Sequence, residues 1–344
     1  MRSLFKNPSV YLCLLVLLFV LFATSGCAVS ETSSAPKEET SDAPNEAAQQ
    51  KVDAAQLLAD VQTLSDDSME GRKPGTAGSE RARDYIIRAF EEHDLQPFDG
   101  SFVQPFYFFS EEDNEVHRGV NVVGYIEGVS DPDRYIVVTA HYDHLGVVDG
   151  QIHNGADDNA SGTAALFAMA DYFSEHRPDN SIILFATDAE EVGLKGSEAF
   201  MAHPPVSRDA IIVNVNVDMI SHSDQNRLYV AGTYHYPFLK PYVQEVTDPR
   251  VNLVFGLDRP DLPRGQDFTF RGDNAPFHVA NIPFLYFLVG EHEDYHKPTD
   301  DFANINQDFY IGAVEVIIDV VRQLDRNLSA IAAQRREYVS VQQR

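Results

Sequence analysis

The sequence predicts an α/β sandwich built around a largely parallel sheet, and three observations carry this. From Val52 onward, short β-branched runs alternate with segments of helical period, the pattern of strands joined by helical crossovers. Of 344 residues, 44% are hydrophobic and 23% charged, an ordinary globular composition that supplies a sizeable core. The only cysteines are Cys13 and Cys27, so no disulfide framework takes the place of that core.

The chain opens on an export signal. Arg2 and Lys6 precede an apolar run from Val10 to Ala23, about a dozen residues, which suits a signal-peptide core and is short for a bilayer span. Thr24-Ser25-Gly26-Cys27 follows. It resembles a bacterial lipoprotein box, in which the cysteine is acylated and becomes the new N-terminus. Thr24 stands where Leu is usual, so the alternatives are secretion after nearby cleavage and an uncleaved anchor helix. Each of the three puts the protein outside the cytoplasm, and Ala28 favours the outer membrane where the cell has one. Residues 27–51 are rich in Ser, Thr, Ala, Glu and Pro without apolar period and read as a disordered acidic tether.

The folded domain is expected over 52–330, with a C-terminal tail at 331–344. Ala82, Tyr85, Ile86, Ala89 and Phe90 fall on one helical face between Ser79 and Glu92, with Ser79 as N-cap. Strands are expected at Asn121–Ile126 and Tyr135–Ala140, a helix at Ser161–Phe173, and strands at Ser181–Thr187, Ile211–Val217 and Pro283–Val289. A helix from Asp308 to Leu324 closes the domain. The stretch from Phe255 to Arg271 has no interpretable period. The formal net charge is −27, which repels phosphate backbones and argues against nucleic-acid binding. Loss of Arg2 and Lys6 with the leader makes the mature chain two charges more negative still.

In a parallel sheet, sites gather beyond the carboxyl ends of the strands, and acids and histidines recur there. His141-Tyr142-Asp143-His144 follows one strand, and Asn154 to Gly162 (NGADDNASG) leads into a helix. Asp188-Ala189-Glu190-Glu191 follows the next strand, Asp218 another, and Tyr295-His296-Lys297-Pro298-Thr299-Asp300 comes after the last. Singly each has a bland reading as a turn, an N-cap or first-turn acids. Jointly, two histidines and three acids can form two adjacent metal sites if one carboxylate bridges them, with a further acid left as base.

The order HYDHLG, NGADDNASG, DAEEVGLKGS, NVNVDM and DYHKPTDD resembles metallopeptidase family 28, the co-catalytic two-zinc aminopeptidases. The stretch from Leu64 to Thr76 resembles that family's entry segment. The resemblance covers about Val52 to Leu324. It implies a three-layer sandwich with a central mixed, largely parallel β-sheet flanked by helices, the zinc-exopeptidase architecture. It also implies two zinc ions. His141 and Asp218 hold one, His296 and Glu191 the other, and Asp158 bridges them, rather than Asp157. Glu190 is then the general base and Asp143 the acid that orients His141. The peptide bond after the bridging acid is cis in that pattern. The implied substrates are peptides with a free N-terminus, and the implied membrane contact is through the lipid anchor only. Gly272-Asp273-Asn274 departs from the family's usual Ser-Asp-His, which leaves that pocket wall open. His144 and His153 match no ligand position. The other histidines, His222 and His292 among them, are assigned to surface or core.

Three further readings share this fold. One is another zinc exopeptidase, a dipeptidase or carboxypeptidase. The second is a glutaminyl cyclase, which uses one zinc and a tryptophan-lined site, whereas this chain has 0 Trp. The third is a non-catalytic binding module, in which the ligands are lost. The expectation at Cys27 is directly testable. Cys27→Ser is expected to abolish incorporation of a labelled lipid precursor and leave the activity of the released domain unchanged. An unacylated mature N-terminus elsewhere, found by mass spectrometry in the unsubstituted protein, contradicts it.

Overall fold

The computed structural model describes residues 51–110 and 113–342, which belong to one compact unit. The expected leader, Cys27 and all but the last residue of the tether lie outside the described residues. Among the described residues, no helix is long and apolar enough to cross a membrane.

Helix α1 (Ala54–Leu64) starts at Asp53, whose carboxylate accepts the N–H groups of Ala55 and Gln56. Helix α2 (Ala77–Glu92) follows, and here the expected cap moves. Thr76, not Ser79, caps it, with its hydroxyl oxygen accepting the Ser79 N–H at 3.3 Å, while Ser79 is buried inside the first turn. The strands come next: β1 (Gln96–Pro97), β2 (Val103–Ser110), β3 (Glu115–Ile126), β4 (Asp131–His141), β5 (Gly146–Val148) and β6 (Gln151–His153). Helix α3 (Gly162–Glu175), β7 (Asn180–Thr187), α4 (Lys195–Ala202) and β8 (Ile211–Val217) continue the alternation. The chain closes with β9 (Arg227–Ala231), α5 (Lys240–Gln244), β10 (Asn252–Phe255), α6 (Ala275–Val279), β11 (Phe284–Leu288), α7 (Gln307–Arg326) and α8 (Leu328–Gln342).

Nine strands form one sheet in the order β1-β3-β7-β4-β8-β11-β9-β10, with β2 paired to β3. The central run β7-β4-β8-β11 is parallel, while β3 against β7 and β11 against β9 are antiparallel. The sheet is therefore mixed with a parallel centre, as the family pattern implies. Two-residue alternation splits its apolar side chains between two layers. Ile136, Val138 and Ala140 of β4 and Ile182, Leu184 and Ala186 of β7 pack with residues of α1, α2, α3 and α7. Val137, Ile183 and Phe185 face the other way, onto Phe200 and Met201 of α4 and Phe277 of α6.

The expected boundary at 330 is corrected. Helix α8 runs from Leu328 through it to Gln342, and Ile331 and Ala332 are buried in the main core. Residues 331–342 continue a packed helix rather than forming a separate tail.

The parallel strands end together, with His141 opposite Thr187 and Val217 opposite Phe287. Arg72 braces the loops beyond that edge. Fully buried, it donates to the carbonyls of Tyr142, Leu64, Asn154 and Gly155 at 2.7, 2.6, 2.6 and 2.9 Å. Burial pulls its pKa down to about 10, against the attraction of Asp300, Asp158, Asp143 and Glu191. Arg72→Met keeps the length and removes every donor. Each unsatisfied buried acceptor costs about 1–3 kcal/mol, so a loss of roughly 4 kcal/mol or more is expected in urea unfolding. A loss below about 1 kcal/mol contradicts this role of Arg72.

Candidate metal centre

The loop before α3 is shaped for close approach. Gly155 adopts a left-handed backbone (φ 57°), and a Cβ there would collide with the Asp158 carbonyl oxygen and the His144 ring. The Asp158–Asn159 peptide is cis. Asn159 then ties this loop to the end of β8. Its side-chain N–H donates to the Val217 carbonyl at 3.0 Å, and its oxygen accepts the N–H groups of Gly162 and Met219. Asp300 accepts the N–H groups of Asp157 and Asp158 at 2.8 and 3.0 Å, and thereby anchors the loop of residues 292–300 to it.

Those anchors bring all five expected ligands together, in two groups that share Asp158. In the first, His141 Nε2 lies 3.2 Å from Asp158 Oδ1 and 3.2 Å from Asp218 Oδ1. In the second, His296 Nε2 lies 3.2 Å from Asp158 Oδ2 and 3.2 Å from Glu191 Oε2. One carboxylate thus turns one oxygen to each group. A tetrahedral ion with bonds of about 2.0 Å separates its ligand atoms by about 3.3 Å, close to each of these four spacings. Three carboxylates and two imidazoles are a hard-to-borderline donor set without thiolate, suited to zinc. The residues present fit the metal.

The surrounding charges set the protonation states. Burial disfavours the ionised form of Asp158, but the bonds from His141 and His296 outweigh it and hold its pKa well below the usual carboxylate range. Glu191 is likewise held low by His144 and His296, against burial and the neighbouring Asp158. Glu190 goes the opposite way. Burial pushes its pKa well above the usual value, and the nearby acids Glu191, Asp273 and Asp218 add to this against the pull of His141. The adjacent glutamates are therefore one ionised ligand-type group and one group of raised basicity.

Asp143 acts differently from the expected role. The His141 Nδ1 atom is 3.1 Å from the Asp143 carbonyl oxygen but 3.8 Å from its carboxylate, so the orienting hydrogen bond runs to the backbone. The carboxylate accepts the N–H groups of Glu190 and Glu191 at 3.0 and 3.3 Å, and so positions the glutamate pair instead.

The sequence reading assigns His144 a structural or pocket role, leaves the wall at Asp273 open, and misses Tyr286. His144, fully buried, has Nδ1 2.7 Å from Glu191 Oε1, the oxygen turned away from His296. Tyr286 of β11 donates to Asp218 Oδ2 at 2.6 Å, again the outer oxygen. Asp273 is buried, accepts the Thr187 hydroxyl at 2.5 Å, and leaves Oδ1 without a partner. Strand periodicity flags Tyr286 as core, and nothing along the chain flags its hydroxyl. For His144 the signal was adjacency to the HYD stretch.

A carboxylate-bridged pair of imidazole–carboxylate groups, set at the carboxyl edge of a mixed sheet between helical layers, defines a metal-dependent hydrolase centre. The model of "Peptidase family M28" matches residues 121–321, and the chain belongs to that family of metallopeptidases. It is 30% identical over 206 residues to aminopeptidase YwaD of Bacillus subtilis (strain 168), covering 57% of this chain and 42% of that protein. It is 28% identical over 253 residues to a probable zinc metalloprotease of Pyricularia oryzae, covering 61% and 48%. The chain thus spans about half the length of the curated relatives it matches. Among solved structures, BSAP, a zinc aminopeptidase from Bacillus subtilis, superposes with a TM-score of 0.64 at 17% identity, covering 79% of this chain and 95% of that one. The Fimbriiglobus ruber glutaminyl cyclase gives 0.65 at 18%, with 79% and 95% covered. These likenesses show the fold.

The contact of His144 with Glu191 has a measurable consequence. Loss of a group that orients a metal ligand typically weakens affinity by about 10–100-fold. His144→Phe is expected to weaken binding of one zinc equivalent in that range, measured by competition with a chromophoric chelator. Unchanged affinity contradicts the role.

Proposed function

We propose that the chain is a two-zinc aminopeptidase that releases N-terminal residues from peptides. The observation that supports it best is the division of the Asp158 carboxylate, one oxygen to His141 and Asp218, the other to His296 and Glu191. In this reading those five residues hold the ions, and Asp158 is shared. Zinc held there supplies Lewis acidity, lowering the pKa of a water and polarising the scissile carbonyl. Glu190 takes the proton of the attacking water and returns it to the leaving amine, a task suited to a carboxylate of raised pKa. Asp143 holds the backbone of Glu190 and Glu191 so that one faces the proton and the other the metal. The concentration of acids around Asp218 and Glu190 attracts the ammonium group of a free N-terminus and disfavours a C-terminal carboxylate. The reading includes acylation at Cys27 and a place outside the cytoplasm, on the membrane through that anchor.

A glutaminyl cyclase is the second reading, since structures of that class share the fold equally well. The intact His141–Asp218 half of the centre, alongside the His296–Glu191 half, supports the aminopeptidase over a one-zinc enzyme.

Two single-atom exchanges test the assignment. Glu190→Gln removes basicity and no metal bond, so kcat on an aminoacyl anilide is expected to fall by about 10²–10⁴-fold or more, with zinc content unchanged. Glu191→Gln replaces a charged ligand by a poor neutral one, so one zinc equivalent weakens and the melting temperature falls with it. Loss of zinc from the Glu190 variant and not from the Glu191 variant reverses the roles. Cleavage of N-acetylated peptides as fast as free ones, or cyclisation of N-terminal glutamine, replaces the aminopeptidase reading.

A further inference from the structure

Beyond the centre, His222, His292 and Asp294 each offer one ligand atom, and these atoms lie within 4.8 Å of one another. None of the three belongs to the five-residue centre. His222 lies on the loop after Asp218, and His292 and Asp294 on the loop that leads to His296. Their side chains are 12, 12 and 16% exposed, open enough for an ion to enter and to keep water in its remaining positions.

The support behind two of these groups is that of a metal site. His292 Nε2 is 2.9 Å from Asp157 Oδ2, and Asp157 Oδ1 is in turn fixed by the N–H and hydroxyl of Ser221 at 2.6 and 2.8 Å. Donation from Nε2 to that carboxylate makes Nδ1 the acceptor nitrogen, and it takes a long hydrogen bond, 3.3 Å, from the Asp294 N–H. A carboxylate behind one ring nitrogen is the usual support of a metal-bound histidine, and a cation at the other nitrogen displaces only that long backbone bond. Asp294 is fixed similarly, with Oδ1 accepting the Thr299 hydroxyl at 2.5 Å. Its Oδ2 is left 3.7 Å from His222 Nδ1, beyond a good hydrogen bond. His222 is the adjustable member. It stacks on His292 with ring centroids 4.1 Å apart and planes 12° apart, so the two rings aim their nitrogens side by side rather than at one point. Binding therefore requires His222 to turn and the Asp294 N–H to leave His292 Nδ1.

We infer that His222, His292 and Asp294 form an additional site for a borderline divalent cation of the zinc class, distinct from the principal centre, clamping the loop that carries His296 to the loop that follows Asp218. Because His222 must turn, this site binds more weakly than the preformed centre. Its protein ligands number three, so water completes the coordination. Asp157, adjacent to the bridging Asp158 but facing away from it, is the supporting carboxylate of this site.

The test is a zinc titration of the metal-stripped full chain, read by elemental analysis after equilibrium dialysis and by melting temperature. The unsubstituted chain is expected to take up one equivalent more than His222→Ala, bound at least 10-fold more weakly than the others. The rise of melting temperature in excess zinc should shrink in that variant, while peptidase activity at limiting zinc is retained. His222→Asp, which restores an oxygen ligand, should recover the weak equivalent, separating ligation from ring stacking. Equal stoichiometry in the unsubstituted chain and His222→Ala overturns the inference, and so does an extra equivalent that survives His222→Ala. Glu191→Gln, titrated alongside, reports on the principal centre. A failure there leaves the His222 comparison intact, so the two readings fail separately.

Discussion

The carboxyl edge of the sheet gathers more negative charge than a protein interior tolerates without compensation. Asp143, Asp157, Asp158, Asp188, Asp218, Asp273 and Asp300 are all buried, and the half-buried Glu190 and Glu191 lie beside them. Two like charges 4 Å apart repel by about 4 kcal/mol at an effective dielectric of about 20, so the assembly persists only if each carboxylate is answered. Backbone N–H groups answer Asp143, Asp188 and Asp300. Imidazoles answer Asp158 and Glu191, and a tyrosine hydroxyl answers the outer oxygen of Asp218. Burial leaves Asp188 and Asp300 with pKa values raised to about 6. Among these groups Asp158, Glu191 and Asp218 direct oxygens at histidines with metal-ligand spacing, and a divalent cation held there would complete the balance.

That concentration explains the backbone around it. Loops at the ends of β4, β7, β8 and β11 come from distant parts of the chain and need cross-links that do not compete for the ligand oxygens. Arg72 supplies one by gathering carbonyls from the segments around Tyr142 and Gly155, and Asn159 and Asp300 supply others through backbone groups. A buried guanidinium without a paired carboxylate is unusual. Here the nearby acids hold its charge at longer range while its donors are spent on carbonyls.

The central strands and the ligand residues were legible because both are local signals. Ile211–Val217 is observed as expected, and Ser181–Thr187 differs from the observed β7 by one residue. Strand β3 begins at Glu115 rather than Asn121 because its polar first half is held by pairing with β2, and β2 itself carries Pro105, which reads against a strand. Helix α8 has little amphipathic pattern, so its packing became visible only with the fold. The same holds for the supporting groups. The contacts of His144 with Glu191, Tyr286 with Asp218, Arg72 with Tyr142 and Asp157 with His292 are read from three-dimensional proximity, since they join residues 47 to 135 positions apart.

The neighbouring glutamates carry the argument to its last step. Glu190 and Glu191 share composition, strand exit and the Asp143 carboxylate that holds their N–H groups. They differ in what their side chains face. Glu191 points between two imidazoles, which favour its charge, while Glu190 points toward other acids, which oppose it. The pair opens the turn after β7, in which the Gly193 and Leu194 N–H groups bond the Glu190 carbonyl at 2.8 and 2.9 Å, so a single anchored dipeptide can present its two carboxylates to different surroundings. In the proposed reading, the separation of metal binding from proton transfer is built into the backbone of this turn, which the Asp143 carboxylate holds through both N–H groups.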